Sequence, residues 1–298
     1  MQEQPATAGT SSTESADSRR AQFTRYWNSP AAVAWVTLQD RLDAMFKEVS
    51  SAALDVANPT RGEQALDVGC GCGGTTLDLA RRVATSGHVT GVDISAPMLE
   101  RARERAAKAD LGNVTLTLAD AGAHPFPPAS FDVVFSRVGV MFFAEPVAAF
   151  ANLRQALRPS GRMVFLSCRS AAENHYITTA VDAAMPLLTN VPPGLLGVNN
   201  PMFSLAGAAH TRALLESAGF REVTLQPLDG KMLLGGPGAA ADAAAFSLQF
   251  GPLTRVLTEA TPAVRGSILQ AVTDSYRRLE GPAGIALDGA FWIVSARP

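Results

Sequence analysis

At 298 residues, with 47% apolar and 17% charged side chains, the chain has ample material for a packed core and is long for one domain without clearly being two. A net charge of −2 and three scattered lysines, Lys47, Lys108 and Lys231, argue against nucleic acid as a partner, for which a basic face is expected. Three cysteines make no disulfide framework, and no run approaches ~18 apolar residues, so the expectation is a cytoplasmic protein with no membrane span.

The predicted elements follow in order. Residues 1–22 are polar, rich in Ser, Thr, Ala and Gln, without the apolar core of a signal peptide, and are expected to be a disordered leader. Order is expected from Phe23, and residues 23–58 form an N-terminal helical lid. There Trp35, Leu38, Leu42, Met45, Phe46 and Val49 recur at helical spacing. Such a helix packs over one end of the core, and Tyr26 or Trp27 can then face a ligand. Ala65-Leu66 leads into the loop Asp67-Val68-Gly69-Cys70-Gly71-Cys72-Gly73-Gly74, and Thr75–Val83 reads as a helix. A second strand ends at Asp93, and Ser95 and Pro97 open the next helix, with Ser95 as its cap. A third strand ends at Asp120; the fourth, Phe131–Phe135, delivers Ser136 and Arg137; the fifth covers Met163–Leu166 after a turn at 158–161.

Strand, helix, strand, helix at this spacing predicts an α/β fold with a Rossmann-like, doubly wound parallel sheet. The expected core is 59–168. Residues 169–210, with Pro192, Pro193, Gly194, Gly197, Asn199, Asn200 and Pro201, read as an irregular substrate-side insertion. Residues 211–298 complete the core, with a helical insertion at 239–280 and a final strand near 290–294. Ligands in such sheets sit outside the carboxyl ends of the strands, where Asp67, Asp93, Asp120 and Ser136 fall.

Gly69-x-Gly71-x-x-Gly74 satisfies a dinucleotide fingerprint that NAD enzymes and methyltransferases share. Three features separate them. Asp67 would set a like charge beside a pyrophosphate, Asp120 suits an exocyclic amine, and the chain closes with Ala218-Gly219-Phe220, a strand, helices and a last strand. On Leu66–Gly73, Gly91–Leu99, Ala119-Asp120-Ala121, Phe131–Arg137 and Leu157–Arg162 the sequence resembles the class I S-adenosylmethionine (SAM)-dependent methyltransferases. It is closest to the ubiquinone/menaquinone-biosynthesis-like small-molecule group. The resemblance covers roughly residues 24–298 and is strongest over 65–166. It implies a sheet of seven strands, the last antiparallel.

The resemblance also implies the cofactor contacts. Gly69 and Gly71 bring backbone against the methionine part of SAM, with Asp67 toward its ammonium. Asp93 takes the ribose hydroxyls, while Ile94 and Met98 touch adenine. Asp120 accepts from the adenine amino group, the Ala121 N–H donates to the ring, and Ser136 lies near the reactive methyl. Bland readings stand beside these. Asp67 can cap the loop or helix, Asp132 begins rather than ends a strand, and Cys70 and Cys72 are small fillers of a loop with too few ligands for a metal.

Methyl transfer from a sulfonium needs alignment and exclusion of water, and a base only for a protonated acceptor. His175, where members of the family it resembles more often carry Pro-Trp in place of His175-Tyr176, is the candidate base. Tyr26, Trp27, Arg137, Met141 and Tyr176 are candidate substrate contacts. The apolar, aromatic and irregular material flanking the site, Tyr26, Trp27, Phe142, Phe143, Tyr176 and the 190–205 loop, favours a small, fairly apolar biosynthetic intermediate accepting on O, N or C. Two other readings stay open: a SAM-binding protein that transfers no methyl, and an NAD(P)-linked oxidoreductase. Oligomeric state is not specified.

Overall fold

The computed structural model describes residues 15–189, 191, 195–196 and 200–298. Helices α1 (Ala16–Trp27), α2 (Pro30–Thr37) and α3 (Gln39–Ala57) precede the first strand. Order therefore begins before Phe23: Ser15 accepts the Ser18 N–H as an N-cap, and residues 16–22 are helical rather than part of a disordered leader. The helical run expected through Trp35 to Val49 is broken at Leu38 into α2 and α3. In α3 the stripe Leu42, Met45, Phe46, Val49, Ala53, Leu54 and Ala57 is buried, and Asn58 ends the helix in the left-handed conformation. Each such large side chain contributes ~1.5–3 kcal/mol by leaving water, so α3 belongs to the core as well as covering it.

The alternating part runs β1 (Gln64–Val68), α4 (Gly74–Val83), β2 (His88–Asp93), α5 (Ala96–Lys108), β3 (Val114–Leu118), β4 (Phe131–Arg137), α6 (Pro146–Ala156) and β5 (Leu157–Cys168). Residues 158–161, expected as a turn before β5, lie inside it as a bulge: the β4 register jumps from Phe131↔Leu157 to Val133↔Arg162. Then come α7 (His175–Ala184), α8 (Ala208–Ser217), β6 (Arg221–Gly235), α9 (Ala240–Ser247), α10 (Leu253–Glu259), α11 (Pro262–Leu279) and β7 (Ile285–Arg297). The region 169–210 is more regular than its composition suggests, since α7 and short 3₁₀ turns occupy much of it. Pro192, Pro193, Gly194, Gly197 and Asn199 lie outside the described residues.

The sheet has seven strands in the order β3-β2-β1-β4-β5-β7-β6, with β7 antiparallel to both neighbours. β5 pairs with β7 only from Met163↔Ala296 to Cys168↔Phe291, whereas β6 pairs with β7 on to Gly235↔Ile285. The end of β6 and the start of β7 thus overhang the carboxyl end of the sheet as a two-stranded ribbon. It packs on α3, where Val49 meets Gly230, and on α9, where Ala243 meets Gly235. Among the described residues no helix is long and apolar enough to cross a membrane.

Candidate active site

The loop between β1 and α4 turns through three left-handed glycines, Gly69 (φ 68), Gly71 (φ 53) and Gly73 (φ 82). The Gly69 and Cys70 N–H groups return to the Val92 carbonyl of β2 at 2.9 and 3.2 Å. A Cβ on Gly69 would stand 3.0 Å from the Gly139 Cα, so only glycine lets this loop touch the one after β4. Ser136, buried in β4, donates its hydroxyl to the Val68 carbonyl at 2.7 Å and ties the two strand ends. Its hydroxyl proton is engaged there.

Asp67 is fully buried beneath the loop. Its Oδ2 accepts from the Thr75 and Thr76 hydroxyls at 2.8 and 2.6 Å, while Oδ1 has no partner among the described residues. Burial pushes its pKa up to about 6, against the pull of the two hydroxyls and of Arg137. Capping by Asp67 and a role toward a cation are therefore compatible. One oxygen holds the start of α4, and the other is an uncompensated negative end.

Asp93 ends β2. Its Oδ2 accepts the Gly71 N–H and its Oδ1 the Ser95 N–H, both at 2.8 Å. Burial raises its pKa and the N–H groups pull it back. An ionised carboxylate offers about four acceptor directions, so both oxygens retain capacity for ribose hydroxyls. Met98 stands behind Gly71, its Sδ 3.7 Å from where a Cβ would be.

Just past β3, Asp120 accepts the Gly122 N–H at 2.8 Å and pairs with Arg20 of α1, Nε to Oδ2 2.7 Å. The neighbouring Ala121 N–H has no partner among the described residues. Asn28, just after α1, donates to the Ile94 carbonyl at 2.9 Å and accepts from the Ala96 N–H at 3.0 Å. Ser95 occupies the cap position of α5 without capping it, because its hydroxyl donates to the Trp27 carbonyl at 2.6 Å. The Trp27 ring meets Phe142 and Trp35 edge-on at 5.4 and 5.7 Å, with Tyr26 beside it. Helix α1 is thereby laid across the ends of β2 and β3 and the loop after β4.

Three candidates stand apart from this cradle. Tyr176, expected on the substrate side, is buried against Phe46 and Phe291, because α7 begins at His175 and turns the next residue inward. Met141 is likewise a core side chain, with its carbonyl accepting from Ser204. His175 is 55% exposed, and its ring faces Asp288 of the ribbon at 3.4 Å. Asp132 accepts the Gln64 N–H at the opposite end of the sheet and pairs with Arg158. No cluster that could hold a metal exists among the described residues. Burial drives Cys70 well above the ordinary thiol range and Cys72 up to about 12, which keeps both protonated.

Sequence reasoning missed Arg20, Asn28, Asp43 and Arg105. Asp43 of α3 accepts from Gln39 and Arg105 at 2.7 Å each and from Arg137 at 3.2 Å, and Arg105 also donates to the Cys72 carbonyl at 2.6 Å. The available signal was a charge beside the buried stripe of an otherwise regular helix, which does not reveal its partners.

A parallel sheet with three carboxylates at adjacent strand ends around a glycine loop defines a nucleoside-binding α/β domain. Residues 59–205 match the family described as a methyltransferase domain. An aklanonic acid methyltransferase from Streptomyces sp. (strain C5) is 36% identical over 129 residues, 43% of this chain and 59% of its own length. A nocamycin O-methyltransferase from Saccharothrix syringae is 38% identical over 118 residues, 40% of this chain and 42% of its own. The chain thus spans about half the length of these curated relatives. In fold it is similar to a putative methyltransferase from an antibiotic biosynthesis pathway of Anabaena variabilis ATCC 29413. That likeness has TM-score 0.59 at 16% identity over 84% of this chain and 97% of the other. Residues 59–205 are a class I SAM-dependent methyltransferase domain, and SAM is the cofactor of that class.

The donor set fits that cofactor: an unpartnered buried carboxylate oxygen on Asp67 for a cationic group, a glycine cradle that a Cβ would fill, and an open N–H at Ala121 beside Asp120.

Proposed function

We propose that the whole chain transfers a methyl group from SAM to O, N or C of a small, fairly apolar biosynthetic intermediate. The observation that carries this reading is the set Asp67, Asp93 and Asp120 at the ends of three adjacent strands, β1, β2 and β3, around one glycine loop. When bound, SAM supplies an activated methyl on a sulfonium, so the acceptor needs only an aligned lone pair.

The chain's own residues align and enclose. Gly69 and Gly71 admit the aminoacyl end, Asp67 sets a negative field beneath it, and Asp93 receives the ribose. Asp120 and the Ala121 N–H receive the adenine edge, Ile94 and Met98 flank its face, and Ser136 holds the β4 end in place. Residues 16–57 serve as the lid, with Tyr26 and Trp27 over the cofactor side. The ribbon of β6 and β7, with α7 and α9–α11, forms the substrate side. The aromatic group Phe23, Trp27, Trp35 and Phe142 favours an apolar acceptor and exclusion of water. The three free cysteines support a cytoplasmic setting.

Calorimetric titration with S-adenosylhomocysteine (SAH), followed by transfer from methyl-labelled SAM to candidate phenols, acids and quinols, tests this. SAH binding and labelled product support it. NADH binding without SAH binding would overturn it, and tight SAM binding with no SAH release over the acceptor panel would favour a non-transferring protein.

A further inference from the structure

Arg137 is the last residue of β4. Continuing the register Asp67↔Phe135 by two residues sets Arg137 beside Gly69, the first glycine of the loop. The hydrogen bond between Ser136 and Val68 agrees with that continuation. The guanidinium lies over the Phe46 ring, 5.4 Å from its centroid, and is anchored through one nitrogen, Nη1, on Asp43. Its Nε and Nη2 make no hydrogen bond among the described residues, and the side chain is only 18% exposed.

Asp43 cannot draw back from this contact. Its Oδ2 is held by Gln39 and Arg105, and its Oδ1 lies 2.5 Å from where a Cβ on Gly74 would stand, against the first turn of α4. A half-used, nearly buried guanidinium is a receptor for a planar anion, because its remaining donors form a fork that matches a carboxylate. Next to it, on β1, Asp67 has a carboxylate oxygen without a partner. The two unpaired groups on neighbouring strands match the two ends of a zwitterionic amino acid.

We propose that Arg137 receives the α-carboxylate of the cofactor's aminoacyl end, and that Asp43 is the positioning residue that aims it. This rests on the SAM reading of the site but reassigns Arg137, whose position on the sequence suggested the acceptor. Arg137 itself lies beside Gly69 in the strand register, where the aminoacyl end is expected. A carboxylate there gains two charge-assisted hydrogen bonds and completes Arg137. Asp43 neutralises the repulsion between Arg105 and Arg137 and leaves the Arg137 fork free.

The test compares SAH with 5′-methylthioadenosine, which keeps the nucleoside and lacks the carboxylate and ammonium. Affinities of wild type, Arg137→Met, Arg137→Lys and Asp43→Asn are measured without any acceptor. Arg137→Met is expected to weaken SAH by about ten- to a hundred-fold and methylthioadenosine by less than about two-fold, with Arg137→Lys between. Asp43→Asn is expected to show the same selectivity at smaller size, which a purely structural role would not produce. Equal losses for both ligands, or none, overturn the assignment while the cofactor reading stands. Wild type that binds neither ligand overturns both.

Discussion

Arg20 of α1 lies with its Nε 2.7 Å from Asp120 Oδ2, and its Nη2 reaches Glu145 at 3.6 Å. A guanidinium on the N-terminal helix therefore holds the carboxylate expected to receive an adenine amino group. Cofactor entry has to part this pair, so Arg20→Ala is expected to speed SAH association by up to about five-fold, the size of a partly exposed ion pair. Stopped-flow fluorescence of Trp27 and Trp35 measures it, and an unchanged rate argues against α1 as the gate.

Asp93 supports both the ligand face and the loop. Asp93→Ala is expected to lower SAH affinity by about a hundred-fold or more, since two charge-assisted bonds to the ribose go with it. It also releases the Gly71 and Ser95 N–H groups, so the melting temperature falls. Calorimetry and a thermal melt on the same sample read both.

Asp67 gives stability a pH dependence of definite sign. Its pKa rises from 3.8 to about 6 on folding, so the native state binds the proton more tightly than the unfolded one. The Asp67 contribution to stability is then fully present below pH ~4 and is lost as pH climbs to ~6, by roughly 3 kcal/mol at 1.36 kcal/mol per unit. Asp93, also raised, acts in the same direction. Glu63, Glu173, Asp274 and Asp288, whose carboxyls are held below their ordinary values, act in the opposite direction, so the Asp67 contribution is read as a difference. Chemical denaturation between pH 4 and 7 should show wild type losing stability relative to Asp67→Asn as pH rises. A cation above Asp67 favours its ionised form, so SAM affinity should increase over the same range.

Gly69→Ala places a Cβ 3.0 Å from the Gly139 Cα at a φ of 68. A loss of about 1–3 kcal/mol of stability is expected, together with SAH affinity, because either loop has to move. A variant that melts and binds as wild type would show that the loops do not need this approach.

His175→Ala is expected to leave SAH affinity within about two-fold of wild type. Its contact to Asp288 is exposed and belongs to the ribbon, and such pairs contribute little. A larger loss by titration would place the ribbon nearer the cofactor than these contacts indicate.

Local pattern carried a large part of this protein. Gly69 to Gly74, the strands ending at Asp67, Asp93 and Asp120, and the broken helices after residue 239 are all legible in the sequence. Each depends on glycine conformation, apolar periodicity or turn residues within a short window. The seven strands and the antiparallel β7 also follow from the resemblance those segments carry, whereas the order of the strands comes from the structure. Tertiary structure decided the rest. The ribbon formed by the extension of β6 along β7, the burial of Tyr176, and the placement of His175 beside Asp288 depend on residues dozens of positions apart. So do the contacts that close the loop from outside, Arg20 on Asp120 and Asp43 between Arg105 and Arg137. A charged side chain on a helix has the same local signature whether it faces water or a partner across the fold. The glycine loop could be read from one stretch of chain, whereas the charges around it acquired their roles only when helices α1 and α3 came back over the sheet.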